Sequence, residues 1–173
     1  MSDSPRVMIL MGSASDLDVM RRAARELAGF GVPFDLEITS AHRTPERTVE
    51  IIRRAEAKGV EVFIVGAGMA AHLAGVVAAH TSRPVLGVPL AGPLLDGLDA
   101  LLSTVQMPRG VPVATLAVGG SGATNAALLA VQILALSDPR LAERLAERRR
   151  SMAEEVEQAS RRARESLDAD AQG

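Results

Sequence analysis

The sequence of 173 residues contains no cysteine, no tryptophan and no tyrosine. Without cysteine the chain can form no disulfide, no thiolate nucleophile and no cysteine-ligated metal site. Its only aromatic residues of the Phe, Trp and Tyr type are Phe30, Phe34 and Phe63, so platforms for stacking nucleic-acid bases are nearly absent. The formal net charge is -2, which indicates no concentrated basic face. Nucleic acid is therefore not an expected partner.

Lysine and histidine are also scarce. Lys58 is the single lysine and lies in a polar stretch beside Gly59, which argues against a buried Schiff-base lysine and against a phosphate-loop lysine. The histidines are His42, His72 and His80, and no two of them have the spacing of metal ligands on one helix. The sequence therefore predicts no metal site.

A secretion signal and a membrane span are missing from the pattern as well. The first ten residues, MSDSPRVMIL, lack the basic start and the long apolar segment of a signal peptide. No apolar stretch reaches transmembrane length without glycine, proline or a charge. We expect a cytoplasmic protein that does not span a membrane.

What the sequence does contain is a series of short apolar runs that alternate with helical patterns. Hydrophobic residues make up 47% of the chain, and its length suits one domain with a substantial core. The apolar runs predict strands at residues 7–11, 34–38, 60–65, 84–88 and 113–118. Because helices separate them, the fold class is α/β, with a doubly wound parallel sheet between two helical layers.

The alternating pattern ends at Asp138 and Pro139, and one long charged helix follows at residues 141–167. We therefore assign residues 1–138 to a single α/β domain and residues 139–173 to a C-terminal helical extension. The apolar stripe of this helix is thin, which suits contact with a neighbouring subunit. A solvated terminal helix is an equally good interpretation of the same pattern.

Polar and glycine-rich segments follow four of the predicted strands, at residues 12–16, 40–44, 66–75 and 119–122. In parallel sheets, ligands bind beyond the carboxyl ends of the strands. We therefore expect these four segments to converge on one edge of the sheet and to form the functional site there.

The first two segments carry the polar side chains that suit an anionic ligand. Residues 12–16 precede a helix, whose free N–H groups hold phosphate well, and Ser13 can add a hydroxyl donor. Asp16 would repel phosphate but can accept from a ribose diol. The alternative interpretation of this segment is an ordinary helix cap that uses Ser15 or Asp16.

In the second segment, Arg43 beside a helix start is a natural anion anchor, and His42 can both take and give a proton near neutral pH. A structural role for His42 is an equally open alternative. Thr44 is a good N-cap for the helix that Pro45 begins.

The third and fourth segments are rich in small residues. Residues 66–71 fail as a dinucleotide fingerprint, because the next strand ends without the acidic residue that would bind a ribose. The small side chains instead allow backbone to approach a ligand closely, and His72 is expected to bond to backbone at a helix start. Residues 119–122 lack the lysine of a phosphate loop and suit a close-packed turn; Asn125 can reach the same edge.

Four motifs together resemble the PurE family, the N5-carboxyaminoimidazole ribonucleotide mutases. They are MGSASD at residues 11–16, SAHRTP at 40–45, GAG followed by AAHL at 66–73, and VQMPRGVPV at 105–113, with NAALLA at 125–130 matching as well. The resemblance implies a flavodoxin-like fold, a homo-octamer with sites at subunit junctions, and no metal, ATP or organic cofactor. The implied reaction converts N5-carboxyaminoimidazole ribonucleotide into its 4-carboxy isomer.

The resemblance also implies roles for individual residues. His42 would be the catalytic acid and base, Ser13 and Arg43 would contact the phosphate, and Asp16 would contact the ribose. The carboxylate or carbon dioxide would lie against residues 70–73. The implied substrate-binding set is Gly12, Ser13, Asp16, Ser40, Arg43, Gly68, Ala70, Ala71, His72 and Leu73.

The chain departs from the family pattern at two positions beside the implied carboxylate pocket. Met69 stands where the mutases usually carry glycine, and Ala74 where they carry proline. Two alternatives to the mutase follow: direct carboxylation of aminoimidazole ribonucleotide by carbon dioxide, and a nucleotide-binding module without catalysis.

Overall fold

The computed structural model describes residues 4–93 and 95–170, which fall into two units, Met1–Ile133 and Leu134–Gly173. The strands are β1 (Val7–Met11), β2 (Phe34–Ile38), β3 (Val62–Gly68), β4 (Val85–Leu90) and β5 (Ala114–Thr115). The helices are α1 (Leu17–Gly29), α2 (Pro45–Ala57), α3 (Leu73–Ala79), α4 (Leu98–Val105), α5 (Gly120–Ala135) and α6 (Pro139–Asp170).

The five strands form one sheet in the order β2-β1-β3-β4-β5, and every neighbouring pair is parallel. This is the flavodoxin-like order, in which the chain changes direction across the sheet between β1 and β3. The predicted α/β fold with a doubly wound parallel sheet is therefore confirmed. The loops on either side of the reversal diverge, and a crevice forms beyond the carboxyl ends of β1 and β3.

The core lies on both faces of β1 and β3, because successive side chains of a strand point to opposite faces. Met8 and Leu10 cluster with Phe63 and with Ile51 of α2 on one face. On the other face, Met20 of α1 fills the space beside β3. Full burial of one such side chain stabilises the fold by roughly 1.5–3 kcal/mol.

The edge strand β2 does not follow the prediction that the strands are continuously apolar. Asp35 and Glu37 alternate with its apolar residues. The Asp35 carboxylate accepts from Lys58 Nζ at 3.1 Å, and Glu37 pairs with Arg47 at 2.9 Å and also with Arg54. A charged edge strand is protected against pairing with another sheet, which explains why only the central strands are wholly apolar.

Three strand boundaries differ from the sequence prediction. β3 extends three residues and β4 two residues further toward the carboxyl edge, so that residues 66–68 belong to a strand rather than to a loop. β5 contains only two residues, where six were predicted. Beyond β5, Leu116 still donates to Gly87 and Gly119 to Pro89, both at 2.9 Å. Because Pro89 has no N–H to donate in return, the ladder is interrupted there.

In the second unit, α6 begins at Pro139, two residues before the predicted start. The Asp138 side chain accepts from the Arg140 N–H at 3.2 Å, and proline is well suited to the first helical position. Of the apolar residues along α6, Met152, Val156 and Leu167 are exposed. No helix among the described residues is long and apolar enough to cross a membrane.

Candidate active site

A pocket of about 570 Å³ lies at the carboxyl edge of the sheet, within the range of small-molecule sites. Four connections line it, and each follows one of the strands β1 to β4. The lining residues are Gly12, Ser13, Ser15 and Asp16; Ser40, Ala41, His42 and Arg43; Ala67, Gly68, Met69, Ala70 and Leu73; and Ala91, Gly92 and Pro93.

The connection after β1 is a short 3₁₀ turn, Ala14–Asp16, that Ser13 caps. The Ser13 N–H donates to Asp16 Oδ2 at 3.0 Å, and Ser13 Oγ accepts from the Ser15 N–H at 3.3 Å and from the Ser15 hydroxyl at 2.9 Å. The turn is capped by Ser13, and the Asp16 side chain completes a capping box with it. Of the two predicted caps, Asp16 does occupy the N-cap position of α1, but its side chain makes no cap bond to that helix. Since the Ser13 oxygen accepts in these bonds, its own hydrogen can be donated to a ligand.

Asp16 places a partly buried carboxylate in the pocket. Burial raises the pKa of Asp16 above its ordinary value of 3.8, and bonds from the Ser13 N–H, the Ser15 hydroxyl and the Gly12 N–H oppose this shift. A carboxylate that the fold holds in place can accept from a hydroxyl group of a ligand. It would repel a phosphate placed directly against it.

The connection after β2 carries His42 and Arg43 and is tied to the connection after β1. Arg43 Nη2 donates to the Gly12 carbonyl at 3.0 Å, and the Ser40 hydroxyl oxygen accepts from the Arg43 N–H at 3.2 Å. Arg43 Nε also lies 3.4 Å from this oxygen. Because a guanidinium has five N–H donors, Arg43 can keep these bonds and still bind an anion in the pocket.

Thr44 does occupy the N-cap position of α2, but its side chain does not cap the helix. The Thr44 hydroxyl instead accepts from the Ser40 N–H at 3.1 Å and lies 3.2 Å from the Ser40 carbonyl. The predicted side-chain cap is therefore wrong. The hydroxyl closes the tight turn that presents His42 and Arg43.

The connection after β3 contributes less of its length to the pocket than the sequence predicted. Gly68 at the end of β3, Ala70 and Leu73 line it, whereas His72 and the buried Ala71 are not among the lining residues. A Cβ on Gly66 would collide with the Met20 side chain, so this glycine serves core packing and not a ligand. Only the end of the glycine run faces the pocket.

Met69 has a backbone conformation that side-chain-bearing residues rarely adopt. Its φ is 57°, in the left-handed region that favours glycine, and it shares this property with Asp96 among the non-glycine residues that the structure describes. Such a conformation costs roughly 1–2 kcal/mol for an L-residue. Met69 is nevertheless 64% exposed and lines the pocket.

His42 and His72 meet across the two connections that carry them. His42 Nε2 lies 2.9 Å from His72 Nδ1, and the rings are edge to face at an angle of 83° with centroids 5.0 Å apart. One ring must carry the N–H while the other accepts, so the tautomer of His42 is linked to that of His72. The prediction that His72 bonds to backbone is wrong.

Within residues 4–93 and 95–170, no group of three His, Asp or Glu side chains is placed to hold a metal ion. The groups that the pocket offers are the His42 imidazole, bonded to His72, for proton transfer, Arg43 and the Ser13 hydroxyl for an anion, and the Asp16 carboxylate for a hydroxyl group.

Comparison with known proteins identifies the family. The model of the AIR carboxylase family matches residues 6–155. The chain belongs to the AIR carboxylase family.

Relatives of this AIR carboxylase family member include two differently named enzymes. The N5-carboxyaminoimidazole ribonucleotide mutase of Pyrococcus horikoshii is 52% identical over 164 residues, which cover 95% of this chain and 92% of that protein. The phosphoribosylaminoimidazole carboxylase of Candida albicans is 58% identical over 136 residues, which cover 79% of this chain and 24% of that protein. The crystal structure of Treponema denticola PurE matches with a TM-score of 0.81 and 32% identity, over 89% of this chain and 95% of that chain.

Sequence reasoning missed one wall of the pocket in this AIR carboxylase family member. Ala91, Gly92 and Pro93 line the pocket, although no role was predicted for them. The signal was present, because a Pro/Gly-rich connection follows β4 just as polar segments follow the other strands.

The fourth predicted segment, residues 119–122, does not line the pocket, and neither does Asn125. A Cβ on Gly122 would overlap the Ala117 carbonyl oxygen. The alternative interpretation of this segment, a close-packed turn into a helix, is therefore confirmed.

Proposed function

We propose that this chain is an N5-carboxyaminoimidazole ribonucleotide mutase of purine biosynthesis. The observation that carries the proposal is that His42, Ser13, Asp16 and Arg43 line one and the same pocket. These residues supply a proton carrier and the anchors that an anionic ribonucleotide requires. The mutase of Pyrococcus horikoshii aligns with nearly the whole chain, which supports the same activity here.

The ribonucleotide would be held at the β1 and β2 end of the pocket. Arg43 and the Ser13 hydroxyl would bind its phosphate, with Gly12 and Ser40 providing the turns that hold them. Asp16 would accept from a ribose hydroxyl. The bond from Arg43 to the Gly12 carbonyl supports this arrangement, because it fixes the cation beside Ser13 before a ligand arrives.

His42 would carry the proton in both halves of the reaction. When the N–C bond of the carbamate breaks, carbon dioxide leaves and the nitrogen takes a proton. Carbon dioxide then adds at C4, and C4 gives up its proton. One group that gives a proton in the first half and takes one in the second can serve both. His72, bonded to His42, would hold the ring and share its proton.

The mutase is favoured over direct carboxylation by the extent of the match. The mutase relative is covered over 92% of its length, whereas the carboxylase relative is covered over 24%. A chain that spans nearly a whole mutase has the size and order of that enzyme. The carboxylase relative contains much sequence that this chain does not match.

The proposal includes a homo-oligomer, an octamer by family resemblance, with a cytoplasmic location. Leu98, Leu102 and Val105 of α4 lie along one side of that helix and are each about half exposed. Apolar residues at this spacing form a stripe that a second copy of the chain can cover. We assign residues 139–173 to the same role, as an extension that contacts a neighbouring subunit, and native mass spectrometry of the full chain tests the assembly.

The deciding experiment measures formation of 4-carboxyaminoimidazole ribonucleotide without ATP. One reaction contains N5-carboxyaminoimidazole ribonucleotide, and the other contains aminoimidazole ribonucleotide with bicarbonate. We expect fast product from the first and little from the second. The reverse result would make the chain a direct carboxylase.

A matched variant, His42→Asn, distinguishes catalysis from binding alone. It should bind ribonucleotide but lose turnover. If the unchanged chain binds ribonucleotide but forms no product from either substrate, the chain is a nucleotide-binding module and not an enzyme.

A further inference from the structure

The strained residue Met69 is the feature of the pocket that the proposed reaction has not yet used. Its φ of 57° lies in a region that favours glycine, yet its side chain is 64% exposed. Burial within the chain therefore does not compensate the unfavourable backbone. Strain of this kind is retained where the structure around a site holds a residue in a required position.

Met69 lines one end of the pocket. It directly follows β3, and its Cγ lies 3.6 Å from the point that a Cβ on Gly92 would occupy. The side chain thus lies against the connection that follows β4. Because the strand order is β2-β1-β3-β4, this wall is at the other end from Ser13 and Arg43, which follow β1 and β2.

The proton carrier reaches toward the same end. His42 follows β2, but its ring is bonded to His72, which lies three residues after Met69. A ribonucleotide with its phosphate at Arg43 therefore directs its reacting end toward His42 and Met69. The lining on that side is apolar or small, with Ala70 and Leu73 beside Met69.

We propose that the thioether side chain of Met69 covers the reacting end of the ribonucleotide and retains the released carbon dioxide beside C4. This inference rests on the proposed function. The carbamate N–C bond breaks, the nitrogen is protonated from His42, and free carbon dioxide is formed. The C4–C bond then forms, and the C4 proton returns to His42. Carbon dioxide is small and uncharged, so an apolar wall beside C4 holds it better than hydrogen bonds would.

The test measures how much carbon dioxide escapes between the two halves of the reaction. N5-carboxyaminoimidazole ribonucleotide is supplied in buffer containing ¹³C-bicarbonate, and products are analysed at low conversion. Aminoimidazole ribonucleotide marks escape, and ¹³C in the 4-carboxy product marks its replacement from solution. Loss of substrate without enzyme is subtracted. The variants are Met69→Gly, which removes the wall, and Met69→Leu, which keeps apolar bulk on the same backbone.

We expect Met69→Gly to raise both the ratio of aminoimidazole ribonucleotide to product and the ¹³C content by roughly fivefold or more. Met69→Leu should stay near the unchanged enzyme. If Met69→Gly and the unchanged enzyme give the same ratio of aminoimidazole ribonucleotide to product and the same ¹³C content, the proposed role of Met69 is wrong, while the mutase activity still stands. If the unchanged enzyme forms no product, the proposed function itself fails.

Discussion

Two glycine-rich segments precede helices in this chain, one at the end of β3 and one beyond β5, and they have different roles. Residues 66–70 end at the pocket, where Gly68, Met69 and Ala70 are among its lining residues. Residues 119–122 lie outside the pocket lining, and Gly122 lets α5 approach the Ala117 carbonyl. A glycine therefore indicates that other atoms approach the backbone closely, but it does not indicate whether those atoms belong to a ligand or to the protein. A Cβ on Gly68 would also meet backbone, the Leu90 carbonyl oxygen at 3.3 Å, so the position of the segment at the pocket separates the two cases and not the glycine itself.

The largest expected effect comes from changing a residue that lines the pocket. His42→Asn should lower kcat by roughly 10²- to 10⁴-fold, because general acid–base catalysis contributes about that much. Stability should change little, since His42 is exposed. Steady-state kinetics and thermal unfolding of the same preparation measure both. A variant with kcat near that of the unchanged enzyme would remove His42 from the chemistry.

Gly122→Ala and Gly12→Ala test the comparison directly. The added methyl at 122 overlaps the Ala117 carbonyl, so we expect a loss of about 3 kcal/mol. This corresponds to a fall in Tm of roughly 6–12 °C. At 12 the methyl would lie 3.7 Å from Asp16 Oδ2, an ordinary contact, so stability should hold while KM rises roughly tenfold as the pocket narrows.

Denaturant unfolding of both variants measures the change in stability, and activity at varied substrate concentration measures the change in KM. Gly29→Ala is the control, because nothing lies within 4 Å of that position. Unchanged stability in Gly122→Ala would contradict the packing role of residues 119–122.

The bond between the two histidines predicts a smaller effect. His72→Ala removes the partner at 2.9 Å from His42 Nε2, and we expect kcat to fall roughly tenfold with little change in KM. His72→Asn, which can place a polar atom near the lost Nδ1, should restore part of the rate. A rise in KM alone would assign His72 to substrate binding instead of to positioning His42.

The smallest effect concerns the pH dependence of stability. Since burial raises the pKa of Asp16 above 3.8, the folded state favours the protonated carboxyl. Its contribution to the free energy of unfolding is present below the unfolded-state pKa and is lost as pH rises through the folded-state pKa. Asp16→Asn has no such titration.

The stability of the unchanged protein relative to Asp16→Asn should therefore fall as the pH rises from 3.8 toward neutrality. Urea unfolding of ligand-free protein across this range measures it. If the free energy of unfolding of the unchanged protein instead rises with pH relative to that of Asp16→Asn, the assigned direction of the Asp16 pKa shift is wrong.

The sequence was a good guide where a local pattern has one physical solution. β1 and β2 have the predicted limits, because each is a short extended run with turn or polar residues at both ends. β5 was overestimated, since its pairing depends on Pro89 in another strand. Three of the four predicted segments meet at the pocket, and the connection after β4 was overlooked although it obeys the same rule.

What the sequence by itself determined is the alternation of strands and helices, the parallel sheet that follows from it, and the side chains at the carboxyl edge. Only the tertiary structure decided that His42 pairs with His72, that Met69 is strained at the pocket mouth and that residues 119–122 pack against backbone. The physical reason is that periodicity and capping act over a few neighbouring residues. A hydrogen bond across 30 residues or the space left for a Cβ depends on strands and helices that come together only in the folded chain.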